Sequence, residues 1–156
     1  MIRIPFFVVA CVIFIMLDTI WLYTNRNYYL DLAFKIQKEP FVLKLPAFPI
    51  VYICLFTSLY FCIRFIELEI TNKKNFYLKA IAISALFGVA VYGIFSYTVC
   101  IFLKNYSYTN AFIDTIWAIV LYSVPTVIYF ALKNNYKKMS LDLDVDVDID
   151  IDRNRK

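Results

Sequence analysis

Four long apolar runs, separated by short charged connections, set the pattern of the chain: about 4–24, 45–63, 80–103 and 111–132. Each is near the roughly twenty residues a helix needs to cross bilayer hydrocarbon. The first run ends on Leu22-Tyr23-Thr24, too bulky for a signal-peptide cleavage site, so it predicts a retained helix. The second opens with Pro46 and Pro49, tolerated in a first helical turn where the missing N–H has no partner to lose. The fourth holds Pro125 well inside it and predicts a kink there.

Between the first two runs, residues 25–45 are polar and carry Arg26, Lys35, Lys38 and Lys44. At helical spacing Tyr29, Leu32, Ala33 and Ile36 share one face, while Asp31, Lys35 and Lys38 share another. That pattern fits a short helix lying in the interface plane, ended by Pro40, and an ordinary loop is the equal alternative. After Leu132 the pattern changes. Residues 141–152 alternate Leu, Val or Ile with Asp, and a charge at every second position repels its neighbours with no partner sheet to join. Residues 139–156 therefore read as a low-complexity, disordered acidic tail, and 1–138 as one transmembrane domain. The fold class expected is all-α: an integral membrane four-helix bundle.

Composition agrees, with 62% hydrophobic and 19% aromatic residues and two glycines in 156 residues. The net charge of +4 conceals a split. Residues 1–140 carry 13 Lys/Arg against 6 Asp/Glu, and residues 141–156 carry 3 against 6. The basic excess flanks the apolar runs, so it orients a membrane protein and does not point to nucleic acid. With four spans, the side holding both termini has 11 Lys/Arg and the other has 5, which predicts cytoplasmic termini. Histidine is absent, which removes the commonest general base and metal ligand. The four cysteines (Cys11, Cys54, Cys62, Cys100) lie in apolar runs without a CxxC pair. No catalytic motif, metal set or cofactor motif is expected.

One tetrapeptide occurs twice, 96 positions apart: Asp18-Thr19-Ile20-Trp21 and Asp114-Thr115-Ile116-Trp117. A carboxylate in a spanning helix costs roughly 2.5–3.5 kcal/mol on insertion scales, so it marks a candidate site. Helix 1 runs outward with its copy near the end, and helix 4 runs inward with its copy near the start. Both acids then lie roughly 5–10 Å below the outer surface. Tyr52, Ser96 and Thr98 reach the same level. The candidate polar cluster is thus Asp18, Trp21, Tyr52, Ser96, Thr98, Asp114 and Trp117, and it predicts an outward-facing polar pocket. Each indole, three residues after its acid, shares that acid's face and can donate to it. The inner half offers only Thr57, Ser58, Ser84, Ser123 and Thr126. Ser84, Gly88 and Gly93 are candidate helix-packing positions, since small residues let helices approach closely in lipid.

The chain resembles a family of predicted four-span membrane proteins, domain of unknown function 2177 (DUF2177), over roughly residues 5–132. The resemblance rests on Leu17-Asp18-Thr19-Ile20-Trp21-Leu22, Tyr28-Tyr29, Pro46-Ala47 leading to Tyr52, Gly88 with Tyr92-Gly93, and Asp114-Thr115-Ile116-Trp117. It implies a fold and a membrane, with no assigned activity. Where that family has Tyr-Asp-Leu-Thr-Asn in the third helix, this chain reads Phe95-Ser96-Tyr97-Thr98-Val99, and Ala118 stands at a usual glycine. A chemistry that needed that acid would be lost here. Members occur in bacteria and large DNA viruses, and the abundance of Ile, Asn, Lys, Tyr and Phe leans toward the viral case, in a host or virion membrane.

Three functions compete. The first is a structural or accessory membrane component, self-associating as a homo-oligomer through the Ser84/Gly88 face. The second is a small transporter or a cation or proton carrier using Asp18 and Asp114. The third is a membrane-embedded enzyme acting on lipid, ranked last because no nucleophile–base pair is visible. The lipid bilayer is the one partner the sequence implies directly.

Overall fold

The computed structural model describes residues 2–39, 42, 44–70 and 74–153, with side chains to residue 139. Its elements are five helices: α1 (Ile4–Thr24), α2 (Arg26–Gln37), α3 (Ala47–Glu69), α4 (Phe76–Phe102) and α5 (Tyr108–Arg153). Four are long and apolar enough to cross a membrane: Ile4–Thr24, Ala47–Glu69, Phe76–Phe102 and Tyr108–Met139. No strand occurs among the described residues.

Local chemistry explains the boundaries. Pro5 sits in the first turn of α1, and Asn25 ends the helix by returning both its backbone N–H (3.0 Å) and its Nδ2 (2.9 Å) to the Trp21 carbonyl. The interfacial helix α2 follows at once. Leu32 is its buried residue, Tyr29, Ala33 and Ile36 are half-buried, and Asp31, Lys35 and Lys38 are exposed, as the face pattern predicts. It closes earlier than Pro40: Lys38 takes a left-handed conformation (φ 59°) and returns its N–H to Phe34 at 2.9 Å. Pro40 itself lies outside the described residues.

Helix α3 runs six residues past Ile63, where Arg64 looked like an end. Arg64 pairs with Glu67 one turn on, and Ile63 and Ile66 stay buried, so the last turns pack as well as the spanning part. Helix α4 starts one turn early, at Phe76. Helix α5 differs most. Its backbone continues through Pro125 and on through Arg153, across most of the tail expected to be disordered. A helix already formed lengthens by one hydrogen bond per residue without a new nucleus, which lets it enter a sequence of low intrinsic preference. Residues 154–156 lie outside the described residues.

Half of the spanning stretch of α5 is buried, against 17–22% for the other three, so α5 is the post around which the bundle is built. It packs mainly on α4 and next on α1. The core joins Ala10 and Phe14 of α1, Leu59, Cys62, Ile63 and Ile66 of α3, and Leu121, Tyr122, Tyr129 and Phe130 of α5. Phe14 meets Tyr122 edge to face at 5.5 Å. The outward faces carry exposed Val8, Met16, Ile20, Ile53, Leu86, Ile94 and Ile101, which suits lipid as the surrounding medium.

The small residues are used inside the chain. A Cβ at Gly88 would stand 2.3 Å from the Ala118 carbonyl oxygen, so α4 and α5 touch backbone to backbone there. Ser84 Oγ donates to the Ala80 carbonyl at 2.8 Å and meets Ser123 Oγ at 3.2 Å. Ser84 and Gly88 are both buried, so the face expected to drive self-association is already covered by α5. Gly93 sits farther from α5, with Thr115 Cγ2 at 3.8 Å as the first contact.

Candidate functional site

The two aspartates lie near the same end of the bundle, each with its own phenolic donors. Asp18 is 9% exposed, and its Oδ2 accepts from Tyr52 Oη of α3 at 2.9 Å. Tyr92 of α4 faces the same carboxylate. Asp114 takes two donors, Tyr29 Oη of α2 onto Oδ1 at 2.7 Å and Tyr106 Oη of the α4–α5 connection onto Oδ2 at 2.8 Å. Tyr92 lies within electrostatic reach of both acids. All five helices and the α4–α5 connection therefore converge on two carboxylates.

The tryptophans do not serve their own aspartates. Trp21 Nε1 donates to Tyr29 Oη at 3.1 Å, so the first tetrapeptide reaches the acid of the second through a phenol. Trp117 Nε1 is buried with no hydrogen-bond partner. The two indoles instead stack, with centroids 4.7 Å apart and planes 10° from parallel. The stack packs two large rings between α1 and α5 in an offset-parallel aromatic pair, and neither indole N–H bonds a carboxylate directly.

Beside the stacked indoles lies a dry surface recess. Trp21, Phe112, Ile113, Ile116, Trp117 and Val120 line a shallow groove of about 210 Å³, and neither carboxylate belongs to its wall. Of the other expected members, Ser96 is buried beside Tyr106 without a hydrogen bond of normal geometry, and Thr98 is exposed and joins nothing in the cluster. The missed members are tyrosines. Tyr28-Tyr29 and Tyr92 belong to the residues that carry the family resemblance, and Tyr106 falls in a tyrosine-rich turn. Tyr at a membrane boundary pairs an apolar ring with a hydroxyl, which was the available signal.

Electrostatics keeps these phenols as donors. Burial, then the hydrogen bond to Asp114 and its charge, push Tyr29 and Tyr106 above the ordinary tyrosine range. Tyr28 is raised as well, first by desolvation and then by the Asp114 charge. On the far side, Asn105 Nδ2 donates to the Lys35 carbonyl at 2.9 Å and ties the α4–α5 connection to α2.

The half of the bundle away from the aspartates is more polar than the sequence suggested. Tyr122, fully buried, hydrogen-bonds Ser58 across α3 and α5. Thr126, one turn on, is fully buried beside Cys62 with its hydroxyl unpartnered. Tyr129 Oη then donates to Glu67 Oε1 at 3.0 Å, and Lys133 Nζ to the same oxygen at 2.6 Å. Tyr122, Thr126, Tyr129 and Lys133 share one stripe of α5 at three- and four-residue spacing, two turns along the helix from Asp114. Of its three hydroxyls only that of Thr126 is among the polar residues the sequence offers there; the other two ride on Tyr122 and Tyr129, whose rings pack in the core. Thr57, by contrast, is exposed and donates only to its own helix at Ile53.

The family model described as a predicted membrane protein, DUF2177, matches residues 3–137. No curated protein and no solved structure matches the chain. With four apolar spanning helices, the molecule is a multi-pass integral membrane protein.

Proposed function

The chain belongs to the predicted-membrane-protein family DUF2177, and on that premise we propose that it is a structural or accessory membrane component whose two aspartates fasten the outer end of the bundle. One observation carries this reading: both oxygens of Asp114 are taken by phenols from elements outside the spanning helices, Tyr29 of α2 and Tyr106 of the α4–α5 connection. A charged acceptor forms hydrogen bonds worth about 1.5–3 kcal/mol, enough to hold an interfacial helix that buries little of its own surface. Positive charge around the connections supports cytoplasmic termini, with α2 and the acids on the opposite side.

The test is thiol labelling on a background lacking the native cysteines. Leu30→Cys, at an exposed position, should react with an impermeant maleimide added outside. Leu32→Cys, at a buried one, should react slowly, and much faster once Asp114→Asn is added. Unchanged protection of position 32 in Asp114→Asn would refute the fastening role.

A second reading, a proton or cation carrier using Asp18 and Asp114, draws support from the hydroxyl stripe of α5 that leads inward from the acids to Glu67. Proteoliposome flux separates the two readings. Acid-dependent flux abolished by Asp18→Asn would favour the carrier.

A further inference from the structure

At the end of the bundle opposite the aspartates, the last turn of α3, the first turn of α4 and residues 130–134 of α5 enclose a second cleft of about 240 Å³. Its floor is apolar: Ile70, Phe76 and Phe130, with the two phenyl rings edge to face at 5.0 Å. Its rim is polar: Arg64, Lys133 and Asn134 around Glu67. This cleft thus differs in kind from the groove beside the indoles, which is lined by apolar and indole surface alone.

The charges of the inner cleft are layered. Glu67 accepts from Lys133 Nζ at 2.6 Å and Arg64 Nη1 at 3.1 Å, and its side chain is only 7% exposed. The cations above it are open, at 39% for Arg64 and 29% for Lys133. A guanidinium offers five donors and an ammonium three, more than one carboxylate takes. Among the described residues, Arg64 and Lys133 both face the one carboxylate of Glu67, so the rim of the cleft is cationic.

The geometry points to this cleft as a binding site for an anionic glycerophospholipid. Its phosphodiester would sit between Arg64 and Lys133 within reach of Asn134, and its acyl chain would lie over Phe76 and Phe130. The cleft lies where spanning helices end, the depth at which a lipid presents both parts at once. Basic recesses between spanning helices suit anionic headgroups for the same electrostatic reason. An apolar floor beside a cationic rim selects an amphiphile over a free anion.

The test uses the purified full chain in a neutral detergent, titrated with fluorescent phosphatidylglycerol and read by anisotropy. Phosphatidylcholine and inorganic phosphate serve as competitors. Phosphatidylglycerol should bind, phosphatidylcholine should compete poorly, and phosphate alone should not displace the lipid. Arg64→Gln should weaken binding roughly five-fold, the scale of one surface cation. Glu67→Gln, which removes the anion at constant shape, should tighten it by a similar factor. Lys79→Gln, at an exposed cation of the same end outside the cleft, should change nothing. Asn134→Ala, at an exposed position, should weaken binding and stands in should Arg64→Gln fail to fold. Equal losses for Arg64→Gln and Lys79→Gln would reduce the effect to general surface charge and overturn the site. Displacement by phosphate alone, or unchanged affinity in a folded Glu67→Gln variant, would overturn it too.

Discussion

Two glycines five residues apart on α4 predict opposite responses to the same added methyl group. At Gly88 the new Cβ lands 2.3 Å from the Ala118 carbonyl oxygen and 2.9 Å from its carbon, where ordinary contact begins at 3.4 Å. Both clashing atoms are backbone, so no rotamer relieves them and the helices must separate by about 1 Å. That separation also pulls Ser84 from Ser123 at 3.2 Å and loosens Tyr122, all on the largest helix–helix interface of the molecule. Overpacking of this kind costs about 1–3 kcal/mol. Alanine's higher helix propensity, about 1 kcal/mol in water, offsets part of it, and less in a denatured state that keeps its helices. Gly88→Ala should therefore lose about 1–2 kcal/mol net. At Gly93 the Cβ meets only Thr115 Cγ2 at 3.8 Å and Oγ1 at 4.0 Å, an ordinary contact, so Gly93→Ala should be neutral or slightly stabilising. Unfolding of both variants in bicelles, by steric trapping or SDS titration, measures the difference. Finding Gly88→Ala as stable as Gly93→Ala would show that α4 and α5 do not meet at this distance.

The hydrogen-bond sets predict which substitutions interact. Asp114→Asn with Tyr29→Phe, and Asp18→Asn with Tyr52→Phe, should each show coupling of about 0.5–3 kcal/mol in unfolding cycles, while Asp18→Asn with Asp114→Asn should add within about 0.5 kcal/mol. Strong coupling between the two acids would mean that they share a site despite their separate donors. Alkali should loosen the outer end. Because the folded-state values of Tyr29 and Tyr106 are raised, their contribution is complete below the unfolded tyrosine value of 10.0 and is lost as pH climbs through the higher folded values. Stability measured across that range should fall less steeply in Tyr29→Phe and Tyr106→Phe than in the parent, and parallel curves would refute the assignment.

What the sequence determined by itself is what lipid enforces locally. A bilayer is crossed by helices of about twenty apolar residues or by barrel strands of about half that length with alternating polarity, so four long unbroken apolar runs give the four spans and the all-α class. The first helix is placed at 4–24 and observed at Ile4–Thr24, and the amphipathic face of α2 is observed as read. Boundaries at charged residues were less legible. Arg64 looks like a stop, yet Glu67 lets the helix carry it onward, a pairing completed by a residue of another helix 66 positions away. The repeated Asp-Thr-Ile-Trp tetrapeptide marked where the polar residues gather, but its spacing could not say which donor each acid accepts. Those donors come from α2, α3 and the α4–α5 connection, and the indoles stack on each other instead of facing their own carboxylates. Only the tertiary structure decided that, because hydrogen-bond partners and ring stacks are settled by how helices meet, whereas hydropathy records only that they must.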